Sequence, residues 1–197
     1  MATTSFQCRC GALRGTLERP EGSRFGHVVC YCSDCRAFVR WLGRDDLLDA
    51  GGGTEILQLA PSQVRLETRE TLACMRLTEG GLHRFYASCC RTPFANAVSA
   101  RVPFVGLSVP GLGLSLSHAP AGIQGGSAQG PTIAGTRATA SLRVIGDAVG
   151  NLSSWWWHGA GRPSPVFDDE GAPRVRAEVI ARSERDRLRR LDHAPSR

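Results

Sequence analysis

"HVVCYCSDCRAF", residues 27–38, places Cys30, Cys32 and Cys35 within six positions of a chain that has eight cysteines in 197 residues. Clustering this tight serves a metal site, a redox dithiol or a disulfide framework. Ser33 can cap a helix that begins inside the motif, and Ala37, Phe38, Trp41 and Leu42 then share one face of it. A turn at a helix start gathers the three sulfurs, and the helix dipole there favours thiolate. "CSDC" alone would suit a thioredoxin-type dithiol. The extra Cys30 and the lack of a strand–helix–strand setting weigh against that. Three ligands with no evident fourth describe an open zinc site, the kind used for chemistry.

Outward from this motif, the remaining cysteines fall into two short elements and one isolated position. "CRCG" brings Cys8 and Cys10 to one ion if Gly11 lets the backbone turn sharply. Cys89 and Cys90 are adjacent and cannot easily bridge each other without strain. Either both reach a metal, or one ligates and the other packs. Cys74 lies in the alternating stretch "LACMRL" and reads as a small buried hydrophobe. Of five scattered histidines only His27 lies near the cluster, and it reads as a packed or surface residue rather than a fourth ligand.

Between these elements the hydrophobic period is mainly two. "ALRGTLE" (12–18) and "RFGHVVC" (24–30) read as strands around the turn "RPEGS", and "TEILQLA", "QVRLETR", "LACMRLT" and "LHRFYAS" read as a strand meander. Residues 1–105 are therefore expected to form a mainly β zinc-binding core with one short helix. Residues 106–135, rich in Gly, Ser, Pro and Ala, read as a flexible loop. Residues 136–197 read as a helix–strand–helix extension, an α/β elaboration packing on the core. Leu142, Ile145, Val149, Leu152 and Trp156 give its first helix, despite Gly146 and Gly150. "WWWH" (155–158) reads as an aromatic stripe that belongs to the core. "RVRAEVIA" reads as its strand, and "SERDRLRRL" as its last helix, with Ser183 and Asp186 spaced as a capping box.

The bulk numbers narrow the function classes. At 42% hydrophobic the chain can bury a true core. No stretch approaches the roughly 20 apolar residues that span a bilayer, and "MATTSFQCRCG" lacks an export signal. A cytoplasmic protein with no membrane partner is expected, a setting in which clustered cysteines favour metal or catalysis over disulfides. The formal charge of +6 resembles a nucleic-acid signal, but residues 174–197 alone carry eight arginines against four acids. All 24 basic residues are arginine, which reads as coding bias, and a nucleic-acid partner is not expected.

The order "CRCG … CYCSDCR … RFYASCCRTPFAN" resembles the glutathione-dependent formaldehyde-activating enzyme family, which includes centromere protein V. It is most similar to a bacterial branch with a Cys-Cys-x-Thr-Pro element. The likeness covers residues 6–100, more weakly "RPSPVFDDEGAP". It implies a β-tent zinc fold, a structural zinc on Cys8, Cys10, Cys89 and Cys90, and a second zinc on Cys30, Cys32 and Cys35. It also implies carbon–sulfur lyase chemistry of the S-(hydroxymethyl)glutathione synthase kind, with glutathione or another small thiol and an aldehyde as partners. Two positions depart from the family. Tyr31 stands where histidine is frequent, and Tyr86 stands at a usual cysteine position, with Cys89-Cys90 in place of Cys-Gly.

Two functions follow as expectations. In one, the three-cysteine zinc holds a thiol for addition to an aldehyde, with Arg36 meeting the carboxylates of a thiol peptide. Asp34 is then the nearest acid or base, although its position equally suits a helix first turn. In the other, both zincs are structural and the protein is a binding or scaffold module.

Overall fold

The computed structural model describes residues 2–19 and 26–191. Arg24 and Phe25 of the expected second strand, and most of the turn before it, lie outside the described residues. Among those described, two sheets carry the fold. β1 (Ala2–Gln7), β2 (Arg14–Arg19) and β5 (Val64–Thr68) make a three-stranded antiparallel sheet with β2 in the middle. The second sheet has eight strands. Its members are β3 (His27–Cys30), β4 (Thr54–Leu59), β6 (Leu72–Arg76), β7 (His83–Ala87), β8 (Thr92–Ala97), β9 (Val105–Ser108), β10 (Ala121–Ile123) and β11 (Ala177–Val179). Their order is β10-β3-β4-β9-β8-β7-β6-β11. Only the two outermost strands run parallel to their neighbours, β10 on β3 and β11 on β6. The chain is thus mainly β.

The alternation in these strands explains where the core lies. Phe6 and Leu17 from the small sheet face Leu57, Phe85, Phe94 and Leu107 from the large one in a single buried cluster. At Gly15 a Cβ would fall 2.2 Å from the Arg65 carbonyl and 2.6 Å from Phe6. Only glycine allows β1, β2 and β5 to close there.

The other face of the large sheet is covered by α1 (Ser33–Trp41) and α3 (Arg182–Arg190). Ala37, Phe38 and Leu42 pack with Met75, Leu77, Ile180 and Leu188, and Trp41 and Tyr86 lie at the edge. The face predicted for the first helix is the one buried. Asp34 pairs with Arg189, tying α1 to α3.

Several expectations are corrected. Ser33 does not cap α1; the cap is Cys32, whose sulfur accepts the Cys35 N–H at 3.4 Å. Ser183 lies inside α3, whose N-cap is Ala181 with no side-chain bond. The segment 106–135 is not wholly a loop: it contains the end of β9, all of β10 and a 3₁₀ turn at Gly125–Ser127. It is tied down where Gln129 N–H donates to the Gly51 carbonyl at 2.9 Å and Ile133 N–H to the Tyr31 hydroxyl at 3.0 Å. The first helix of the C-terminal region, α2 (Leu142–Trp157), forms as expected but buries no residue. Trp156 and Trp157 are exposed, so the tryptophan stripe is not core. No helix among the described residues is long and apolar enough to cross a membrane.

Candidate metal centres

The first centre joins the two sheets. β1 ends at Gln7, and the chain turns back into β2 through residues that Cys8 organises. Cys8 N–H donates to the Leu13 carbonyl at 2.9 Å, Gly11 N–H to the Cys8 carbonyl at 2.9 Å, and Leu13 N–H to the Cys8 sulfur at 3.3 Å. Gly11 takes φ +78°, the conformation the turn requires. On the other side, β7 and β8 are linked by the turn holding Cys89 and Cys90. The register slips between Phe85 and Tyr86 just before it. Such an irregularity re-aims the side chains that follow. Arg91 sits in left-handed backbone and donates to the Trp41 and Leu42 carbonyls, locking this turn to the end of α1.

These two turns meet. The sulfurs of Cys8 and Cys10 lie 3.6 Å apart, Cys8 and Cys89 3.9 Å, Cys10 and Cys89 3.2 Å, and Cys89 and Cys90 3.8 Å. All eight cysteines are free thiols. Four sulfurs around one tetrahedral ion with Zn–S near 2.3 Å would be about 3.8 Å apart; three of these separations are close to that and the Cys10–Cys89 pair is shorter, so this donor set suits a metal once that pair opens slightly. Tyr86 contributes no sulfur, and Cys90 stands in the group beside Cys89.

Thr92 is the hidden organiser of the group. It is fully buried; its hydroxyl accepts the Arg9 N–H at 3.2 Å, lies 3.1 Å from the Cys90 sulfur and receives Arg44 Nη1 at 3.4 Å. Burial pushes the Cys90 thiol up. The bond with Thr92 and those with the Cys10 backbone and the neighbouring thiols outweigh it and hold the group at about 6. Cys89 is pushed up to about 12, first by burial and then by its bond with Cys10. One thiol that ionises readily beside one that does not is what sulfurs sharing protons display.

The second centre lies at the junction of β3 and α1. Cys30 ends the strand, Cys32 caps the helix and Cys35 lies in its first turn, and the three sulfurs lie within 4.8 Å of one another. Cys35 is held well below the usual thiol range by bonds from Cys30 and Cys32, against burial, and by the charge of Arg84. Cys30 moves the opposite way for the same reason, because its bonds to Cys32 and Cys35 and its burial favour the protonated form.

Residues around this centre divide into those already committed and those facing it. His27 is committed: Nε2 lies 2.5 Å from Glu55 and Nδ1 lies 3.0 Å from the His118 carbonyl. It does not join the three sulfurs, nor does any other histidine or carboxylate among the described residues. Tyr31 is buried and its hydroxyl donates to Asp49 at 2.7 Å. Arg36 is only 1% exposed and donates to the carbonyls of Tyr31, Gly52 and Ser127. It is a backbone clamp, which corrects its expected role toward a thiol peptide. Asp34 is likewise spoken for by Arg189.

The residue that faces the centre is Arg84, which the sequence reading missed. It is 2% exposed, reaches within 4.0 Å of the Cys35 sulfur, bonds Asn96 at 3.3 Å and lies over the Phe38 ring. A crevice of about 20 Å³ is lined by Cys35, Arg84, Asn96, Thr54, Glu55 and Ser108 over an apolar floor. In "LHRFYAS" the arginine stands on the side opposite Phe85, which in an isolated meander would be the solvent side. That α1 covers this side is a tertiary fact with no local signal. Cys74, in contrast, packs in the main core as expected, its thiol pushed up to about 11 by burial.

A search for similar curated proteins finds no match. A family model matches residues 2–178, which include both cysteine groups and all of both sheets except Val179. The chain accordingly belongs to a family of unknown function (DUF6151).

Proposed function

We propose that the protein is a two-site zinc protein in which the four-thiol group is a structural staple and the three-thiol group binds a small external thiol. This keeps the kinship with the glutathione-dependent formaldehyde-activating enzymes, and with it the β-tent zinc fold, as our reading. The observation that carries it is the difference between the centres. Cys8, Cys10, Cys89 and Cys90 offer four sulfurs within 4.8 Å of one another, whereas Cys30, Cys32 and Cys35 have no fourth ligand among the described residues and face a buried guanidinium.

All-thiolate donors select zinc among common divalent ions of this geometry, and bound zinc supplies the positive charge that keeps sulfur as thiolate at neutral pH. The protein's own contribution is positional. Cys32 holds the turn closed through the Cys35 N–H. Arg84 places a cation beside Cys35 that favours a further anionic sulfur. The apolar floor of Phe38, Val39, Ile56 and Phe94 keeps water scarce there. The net reaction proposed is addition of the thiol to an aldehyde. A sulfur–carbon bond forms, the carbonyl π bond opens and the thiol proton ends on the oxygen.

One observation favours the second reading, a scaffold with two structural metals: the crevice beside Cys35 has room for about one water-sized group. Cobalt substitution separates the readings. Thiol added to the cobalt form shifts its charge-transfer bands if the second site is open, and Cys32→Ser abolishes the shift while the fold persists. Bands unmoved at millimolar thiol would assign the protein to the scaffold class.

A further inference from the structure

Exposure divides the four-thiol group into two pairs. Cys8 and Cys90 are buried, and each is held by its own turn. The Cys8 sulfur accepts the Leu13 N–H at 3.3 Å, and the Cys90 sulfur lies 3.1 Å from the Thr92 hydroxyl. Cys10 and Cys89 are exposed. The exposed pair is also the closest: its sulfurs are 3.2 Å apart, against 3.6 Å for Cys8 and Cys10, 3.8 Å for Cys89 and Cys90, and 3.9 Å for Cys8 and Cys89.

A cysteine is open to oxidants when solvent reaches its sulfur and a second sulfur stands by to resolve the first product. Among the described residues only Cys10 and Cys89 combine the two. In the three-thiol group Cys30 and Cys35 are buried and Cys32 is half-buried, and Cys74 is buried alone. Covalent geometry singles out the same pair. A bond between the adjacent Cys89 and Cys90, or between Cys8 and Cys10 with one residue between them, would be strained. Cys10 and Cys89 lie on separate turns, and their sulfurs need to close by only about 1.2 Å to reach bonding distance.

We propose that Cys10 and Cys89 form an oxidation site, which peroxide converts to a disulfide that replaces the metal staple between the two turns. The loss of metal rests on the reading of this group as a structural zinc site, whereas the pairing rests on the positions of the sulfurs alone. First, one of the two sulfurs attacks a peroxide oxygen: an S–O bond forms, the O–O bond breaks and hydroxide leaves. The other sulfur then attacks the sulfenic sulfur: an S–S bond forms, the S–O bond breaks and a second hydroxide leaves. The sulfurs give up two electrons and the peroxide becomes two waters. The two protons this takes come from the thiols, or from solvent when the sulfurs start as metal-bound thiolates. Only Cys8 and Cys90 then remain as donors, too few for a structural zinc, and the ion leaves. The disulfide joins the same two turns, so the fold persists, and a dithiol reductant reverses the change.

The sequence makes the test direct, because cleavage after arginine separates the cysteines. Cys8 falls in residues 1–9, Cys10 in 10–14, the three-thiol group in 25–36, Cys74 in 70–76, and Cys89 with Cys90 in 85–91. The full chain, as purified, is treated with about ten equivalents of hydrogen peroxide and its remaining thiols are alkylated. Unreduced peptides are mapped by tandem mass spectrometry, and released zinc is read with a chromophoric chelator. The expected first product links 10–14 to 85–91 through Cys89, with about one zinc released per chain, unchanged circular dichroism and reversal by dithiothreitol. A first product within 25–36, a link from 1–9, or 10–14 left unlinked overturns the proposal. The expected link in a chain that carries no zinc on the four-thiol group upholds the pairing and refutes the structural-zinc reading instead. Zinc present there and retained, with no link formed, does the reverse.

Discussion

Tyr31 stands between Cys30 and Cys32, and its hydroxyl joins Asp49 to Ile133, so this residue holds the loops around the cysteine turn rather than entering the chemistry. At this scale the sequence is readable where a residue's role is local. Cys74 is readable because strand alternation alone buries it, and Gly11 because a tight turn between two cysteines demands its φ. Arg36 and Arg84 are not: which arginine clamps backbone and which faces sulfur depends on loops and a helix distant in sequence. The contrast between cysteines is directly checkable. Cys74→Ala should leave the metal content unchanged and lower stability by about 1 kcal/mol, whereas Cys10→Ala should remove one metal per chain, both read by elemental analysis and denaturant melts. His83 provides a pH test. It is buried between Phe85 and Phe167 with Nδ1 on the Val98 carbonyl at 3.2 Å, and burial lowers its basicity below the usual histidine value. The unfolded chain therefore takes up this proton first, so stability is fully present above about pH 6.5 and declines as pH falls. Denaturant midpoints between pH 7.5 and 5.5 should fall more steeply for the native protein than for His83→Gln, with a difference of at most about 1.4 kcal/mol per pH unit.

At the scale of elements, the middle of the chain reads well because β4 through β7 are short runs rich in apolar residues and separated by turn residues, although only β5 buries every second residue throughout. β1 escapes notice because "ATTSFQ" is polar at all but Ala2 and Phe6, and it is a strand only by pairing with β2. β10 has three residues and exists through a parallel partner distant in sequence, whereas β11 lies within "RVRAEVIA", which alternation already marks as a strand. In α2 the apolar period correctly gives a helix, but period says nothing of what covers the face. α3 illustrates the reverse, a strongly charged helix anchored by one apolar residue. Leu188 is buried against the cluster that supports α1, and α1 in turn carries Cys32 and Cys35. Leu188→Ala should cost about 2–5 kcal/mol, while Leu142→Ala, on the uncovered face of α2, should change stability by less than about 0.5 kcal/mol. Urea unfolding of both variants checks the pair, and equal losses would mean that α2 is covered within the folded chain.

For the whole molecule, cysteine spacing announces two groups but not how they are arranged in space. That the turn at Cys8–Cys10 meets the turn at Cys89–Cys90 follows from the order of strands in two sheets, which no local pattern encodes. A metal held by these four sulfurs would staple the chain across about eighty residues. Metal at such a site couples to folding by an amount on the order of 10 kcal/mol, because its ligands are brought together only in the folded chain. The second centre closes only a local turn, so it is free to be incomplete. X-ray absorption at the zinc edge tests this division most directly. With both groups filled, seven cysteine sulfurs serve two ions, and the mean coordination should be about 3.5 sulfurs per zinc with a lighter atom completing the shell, rising to about four when a small thiol is added. Four sulfurs per zinc before any thiol is added, or a single zinc per chain, would contradict it.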